Sequence, residues 1–413
     1  MKKYHEFLQL GFISKSYSVK DNISLNYEYN GNFSEMDERK LLNEGYDILR
    51  KDIKKQINVG KDLVVPISGG LDSRLILSAI LEFKNADSIK TYTYGTPGTL
   101  DYEIGNKIAA TTGTNHRNLD LSSAEYKYED LIDYSQKVDN PTVMFHNLSL
   151  SLMDLSESSI LVSGFLGDVV SGKRLEFLDE SKLESRKRYF RNMTLRNKFD
   201  VENEDIINYL SENTNYEDLD NLTEFEKLYI LDYNLKSNYN HVLGYIDMDK
   251  VYTPFYNTDF MNFLLSLPAS YRQNQSYYKK LIFEKASTYL NEVPLKNFYG
   301  TKYYSKNYSR YFHRTKNAIK HRISKKSNHF NSPYINYVDF RKKIILDKNF
   351  KRLLLGLLGD LRERGVNNYN SEIERAIEEI NTNNITHPYN YLLLCSLEIY
   401  LKQGRMTLDE SIH

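Results

Sequence analysis

One cysteine in 413 residues leaves no partner for an internal disulfide and no cluster for a cysteine-ligated zinc site. An excess of one charge is missing too. The 55 Lys+Arg balance 55 Asp+Glu, so no global field steers the chain onto nucleic acid, although a local basic patch stays open. Long apolar runs are absent: the longest Leu-rich stretch, Leu353 to Leu358, is far short of the roughly 20 residues that cross a bilayer. Met1-Lys2-Lys3-Tyr4-His5-Glu6 leads into no apolar segment of signal-peptide type, so the chain is expected to be intracellular and cytoplasmic. What is present is 40% apolar residues with 13% aromatics, too rich for disorder. At about 150 residues per domain, the length suggests two or three domains.

Periodicity gives the outline. Leu8, Leu10 and Phe12 alternate with Gln9 and Gly11, so one or two strands are expected before about Phe33. Leu42, Leu49, Ile53 and Ile57 recur at helical spacing and predict an amphipathic helix from Met36 to Ile57. Lys61 to Ile67 holds the run Leu63-Val64-Val65-Pro66-Ile67, which suits a buried parallel strand. A helix through Leu75, Ile76, Ala79, Ile80 and Phe83 follows, then a strand at Thr91–Tyr94 and a helix from Tyr102 to Thr112 that stops at Gly113. Further strands are expected at Asn118–Leu121 and Ile160–Val162. Strands alternating with helices predict an α/β fold with a doubly wound parallel sheet. From about Glu180 to Lys402 the apolar spacing turns helical, so the C-terminal part is expected to be mostly helical. Inside it, Arg310, Arg314, Lys316, Lys320, Arg322, Lys325 and Lys326 follow one another with no acid between them. A run of this kind is either a solvated helix face or a patch for an anionic substrate or a membrane surface.

The chemistry concentrates in Ser68-Gly69-Gly70-Leu71-Asp72-Ser73, set between a strand and a helix. Two glycines let backbone approach a ligand closely, and the hydroxyls of Ser68 and Ser73 can point at the same spot as the helix N–H groups. A helix N-terminus favours phosphate. The Gly-Lys-Ser/Thr ending of a Walker A loop is missing. Asp72 would repel phosphate unless a cation such as Mg²⁺ bridged them.

After this Val-rich strand, Ser-Gly-Gly-Leu-Asp-Ser resembles the pyrophosphate loop of the N-type ATP pyrophosphatases, the PP-loop ATPases of adenine nucleotide α-hydrolase-like fold. Later segments resemble the synthetase domain of asparagine synthetase-like enzymes. These are Tyr94-Gly95 with Asp101-Tyr102-Glu103, His116, Leu161-Val162-Ser163-Gly164-Phe165-Leu166-Gly167-Asp168, and Tyr252-Thr253-Pro254-Phe255-Tyr256-Asn257 with Phe260 and Phe263. The resemblance implies an ATP-dependent, AMP- and pyrophosphate-forming amide ligase. It implies Ser68, Gly69, Gly70 and Ser73 as pyrophosphate cradle, Asp72 and Asp168 as Mg²⁺ ligands, and Tyr94, Ser163 and Gly164 beside the nucleotide. It also implies a catalytic Lys, for which Lys302 is the first candidate and Lys296 the second.

Two positions depart from the family pattern. The catalytic N-terminal Cys of a glutaminase domain is missing, because Lys2 follows Met1, and Cys395 reads as a core thiol. The expected organisation is therefore a glutaminase remnant over 1–35, a synthetase core over 36–270 and a helical part over 271–413. The family's Glu after Ser-Gly is Phe165, which cannot act as a base, and a second family Glu is Val169. The expected substrates are a small molecule, peptide or sugar acid, joined to an amine other than glutamine-derived ammonia. A separate chain could supply that amine, and no nucleic acid is expected. The alternatives are a non-catalytic ATP-binding relative, or an asparagine synthetase using free ammonia or a separate glutaminase.

Overall fold

The computed structural model describes residues 2–14, 37–57, 62–138, 140–146, 155–175, 178, 180–214, 222–231, 233, 246, 250–256, 259–328 and 330–411. Among them five strands form one parallel sheet: β1 (Asp62–Pro66), β2 (Lys90–Gly95), β3 (Asn115–Asp120), β4 (Ser159–Val162) and β5 (Val251–Tyr252). Their order is β3-β2-β1-β4-β5 and every pairing is parallel. β1 lies in the middle, and Leu63, Val64 and Val65 are all buried because helices cover both faces. The chain winds outward from β1 to β2 and β3, then returns to add β4 and β5 on the other side. That reversal puts a topological switch point between β1 and β4, where open α/β sheets bind ligands at the carboxyl ends of the strands.

The helices follow the apolar spacing. The Glu38–Ile57 helix buries Leu42, Leu49, Ile53 and Ile57 along one face. Its Gly45 lets Tyr277 and Phe263 lie where a Cβ would stand, 2.2 Å from the Tyr277 hydroxyl. The Leu100–Thr112 helix ends at Gly113, whose φ of 73° closes the last turn. Among the described residues helices dominate after Glu180, with β5 the one strand. β5 is too short to show a period, and its pairing with β4 rather than its own sequence makes it a strand.

The N-terminal expectation is corrected. Leu8 and Leu10 belong to a helix, Lys3–Leu10, which stops at Gly11 with φ 84°. Phe7, Leu8 and Leu10 are buried, and even Glu6 and Gln9 are enclosed, so burial around the helix overrides the alternating pattern. This helix packs into the C-terminal bundle. The Phe7 ring sits edge-on to Tyr400 at 5.7 Å, and Gln9 Nε2 donates to the Tyr369 hydroxyl at 2.8 Å. Phe12 and Ile13 follow the helix as buried residues outside any strand, and residues 15–33, with Lys61 and Asn257, lie outside the described residues. Cys395 is buried in the same bundle, and burial pushes its thiol pKa up. Among the described residues no helix is long and apolar enough to cross a membrane.

Candidate active site

β1 delivers the central loop. Its pairing with β2 runs one residue past the strand, through Ile67 N–H to Tyr92 O at 2.8 Å. The chain then turns through Ser68–Leu71 into the Asp72–Ile80 helix, which no side chain caps. Neither Gly69 nor Gly70 has a positive φ, so a special turn conformation is not what requires glycine. Crowding explains Gly69: a Cβ there would meet Lys296 Cβ at 3.1 Å and Asp101 Oδ1 at 3.2 Å. The loop is held from within. Ser68 N–H donates to Ser73 Oγ at 3.2 Å, Gly70 N–H to Ser68 Oγ at 3.2 Å and Gly69 N–H to Asp101 Oδ1 at 2.9 Å.

β4 delivers the second loop beside the first, across the switch point. Leu166 takes a φ of 70°, which a bulky residue adopts only where its surroundings enforce it. The turn presses the backbone against Asp72. A Cβ on Gly167 would stand 2.4 Å from Asp72 Oδ1, so any larger residue would have to push the Asp72 carboxylate aside. Asp168 follows directly, and its Oδ2 accepts from Lys173 Nζ at 2.5 Å. The two carboxylates feel each other. Burial, then the Asp168 charge, pushes the Asp72 pKa up to about 7, although the Tyr278 hydroxyl donates to Asp72 Oδ1 at 2.7 Å. Burial alone would lower Lys173, but Asp168 overrides it and holds that ammonium above its usual value.

A cavity of about 350 Å³ opens between the loops. Ser68, Gly70, Asp72, Gly164, Asp168 and Lys296 are all in its wall. Of the other expected residues, Gly69 and Ser73 brace the loop, and Ser163 Oγ accepts the Phe165 N–H at 3.2 Å. Tyr94 is one layer back, its ring stacked at 5.6 Å on Tyr337, which lines the cavity. His116 is outside the wall, bonded through its ring nitrogens to Thr91 and Asn106. Phe165 lines the cavity where the resemblance places Glu.

The two candidate lysines separate. Lys302 is half exposed and pairs with Glu292, away from the cavity wall. Lys296 is in the wall, its Nζ 2.5 Å from Asp101 Oδ2 and bonded to Asn336 Oδ1, its backbone N–H donating to Gly69 O at 3.0 Å. Buried Arg74 supports that segment from the Asp72–Ile80 helix, donating to Leu290 O, Val293 O and Pro294 O at 3.0, 3.3 and 2.7 Å.

Sequence reasoning missed Lys173, Gln275, Tyr278, Asn336 and Tyr337. Lys173 had a signal, five residues after Asp168. Tyr278 reaches Asp72 across 206 residues and had none. Asn336 is admitted by Gly95, whose φ is 148° and where a Cβ would lie 2.9 Å from Asn336 O. Among the described residues no group of three or more His, Cys, Asp or Glu side chains forms a metal cage.

A comparison with curated proteins found no match. A comparison with protein-family models matches the family described as asparagine synthase over residues 44–336, a span that includes both loops, both carboxylates and Lys296. The chain belongs to the asparagine synthase family.

Proposed function

We propose that the chain is an ATP-dependent ligase that adenylates a substrate carboxylate, releases pyrophosphate and passes the acyl group to an amine with loss of AMP. The carrying observation is that the pyrophosphate loop, Asp72, Asp168 and Lys296 meet around one cavity at the sheet's switch point. Family membership supports ATP-dependent amide ligation in general, and the residues suggest how each part is done.

The uncapped Asp72–Ile80 helix and the Ser68 hydroxyl offer donors for the β- and γ-phosphates. Asp72 and Asp168 are mutually repelling oxygen donors, which fits a hard divalent cation that completes its shell with phosphate oxygens. Mg²⁺ held by these two carboxylates would supply charge neutralisation at the phosphates. Lys296 is placed to stabilise negative charge on the α-phosphate and the acyl carboxylate, where one positioned donor is worth about 3–4 kcal/mol. Asp101 and Asn336 hold its ammonium in place.

Phe165 bears on the acceptor. An apolar ring in the wall cannot take a proton from ammonia, and it favours an amine that brings its own apolar part. We propose an acceptor other than glutamine-derived ammonia, with a peptide or sugar acid as the carboxylate partner. The test is AMP and pyrophosphate release over a panel of carboxylates and amines, with Asp72→Asn as control. Loss of AMP release in that variant supports the ligase reading. Efficient asparagine formation from free aspartate and ammonia would sink the proposed acceptor.

A further inference from the structure

The Asn307–Lys326 helix is amphipathic in the wrong sense for packing on a protein core. Its two buried residues, Asn317 and Ser324, are polar. Asn317 Nδ2 donates to Tyr299 O at 2.9 Å, and Arg310 donates to Tyr303 O, so polar contacts fasten the helix to the segment after Lys296. The large apolar side chains stand in solvent instead. Tyr308 is 73% exposed, Tyr311 72%, Phe312 64%, Ile319 54% and Ile323 47%.

The positions are ordered. At roughly 100° per residue, these five side chains fall in one stripe on the side opposite Asn317 and Ser324. Exposed basic residues border it, Arg314 and Lys325 along one edge, Lys316 and Lys320 along the other, while Arg322 and Lys326 stand within it near its C-terminal end, on stems long enough to carry their charge to a headgroup. No Asp or Glu occurs between Glu292 and Asp339, so nothing acidic in this stretch offsets the charge. An apolar stripe edged by cations and carrying two long ones at its end matches the headgroup layer of an anionic bilayer, where the apolar side chains meet acyl chains and the cations meet phosphates. A single-stranded nucleic acid could stack bases on the exposed aromatic rings, but neither it nor an anionic glycan gives the aliphatic Ile319 and Ile323 a reason to stand in water.

We propose that this helix docks the protein on an anionic lipid surface, lying in the headgroup plane with the stripe from Tyr308 to Ile323 turned into the acyl boundary. The partner is the shared phosphate chemistry of anionic lipids rather than one lipid. The proposal is independent of the reaction at the cavity.

The experiment is co-sedimentation of the full chain with phosphatidylglycerol vesicles and with phosphatidylcholine vesicles at ~0.1 M salt. Binding to the anionic vesicles is expected to exceed binding to the neutral ones at least about tenfold. A Phe312→Ser, Ile319→Ser, Ile323→Ser triple variant should lose that binding at least about tenfold. A Lys316→Gln, Lys320→Gln, Lys325→Gln variant, at roughly fivefold per charge, should lose about a hundredfold. Both should melt like the wild type, because the altered side chains are exposed. Failure to bind phosphatidylglycerol, or equal binding to both vesicles, overturns the proposal. So does full binding by the serine variant, which would mark a surface for a polyanion.

Discussion

Replacing Lys296 by methionine keeps the aliphatic stem and removes the charge from the cavity wall. The structure separates two costs. The stability cost is modest: the Lys296 side chain is 27% exposed, and Asp101 keeps the Gly69 N–H after Lys296 is gone. A partly exposed pair of this kind contributes about 1 kcal/mol or less. The catalytic cost is larger. If Lys296 stabilises charge on the reacting phosphate, its loss removes one preorganised donor, a fall of about 10²–10³ in kcat. Lys302→Met is the matched control. Its side chain is 49% exposed and that of its partner Glu292 80% exposed, so kcat should stay within about threefold. The assay is AMP release at saturating ATP, with thermal melting of both variants. A hundredfold loss in Lys302→Met beside a near-normal Lys296→Met would refute the assignment.

Further outcomes follow from other contacts. Gly167→Ala forces a methyl against Asp72 Oδ1, so AMP release should fall at least about tenfold while the fold persists; normal turnover would deny the tight approach of the two loops. Arg74→Met leaves the carbonyls of Leu290, Val293 and Pro294 without their donor and should cost about 2–4 kcal/mol in denaturant unfolding, with kcat falling as the Lys296 segment loosens. Asp347 caps the Lys348–Arg364 helix through the Asn349 and Phe350 N–H groups. Burial alone would raise its pKa, but those bonds and Lys343 hold it below the usual range, so its stabilisation is present above the unfolded pKa and lost as pH falls through the folded one. Asp347→Ala should therefore cost about 0.5–2 kcal/mol at pH 7, and the gap from wild type should close below about pH 4.

Much of this molecule can be read from local pattern. Leu63-Val64-Val65 announces a buried strand because a parallel strand covered on both faces needs no polar alternation. Ser68–Ser73 is legible as a candidate site because it resembles a pyrophosphate loop and stands between a strand and a helix, and Ser68, Gly70 and Asp72 do line the cavity. The helix at Lys3–Leu10 shows where pattern fails. A short helix enclosed on most sides buries Glu6 and Gln9 with its leucines, and eight residues hold too little period to tell 2.0 from 3.6. The choice between Lys296 and Lys302 is likewise a matter of space. Both are lysines near one turn, and only the approach of Gly69 and Asp101 brings Lys296 to the cavity. Tyr278 depends on the left-handed Asn274 and Gln275, which aim the following helix at Asp72 and leave no recognisable spacing.

The most direct test is the stoichiometry of ATP breakdown by the full chain with carboxylate and amine substrates, resolved by ³¹P NMR. The account requires AMP and pyrophosphate in equal amounts, dependent on the carboxylate and abolished in Asp72→Asn. Formation of ADP and phosphate, or AMP release unchanged in that variant, would contradict it.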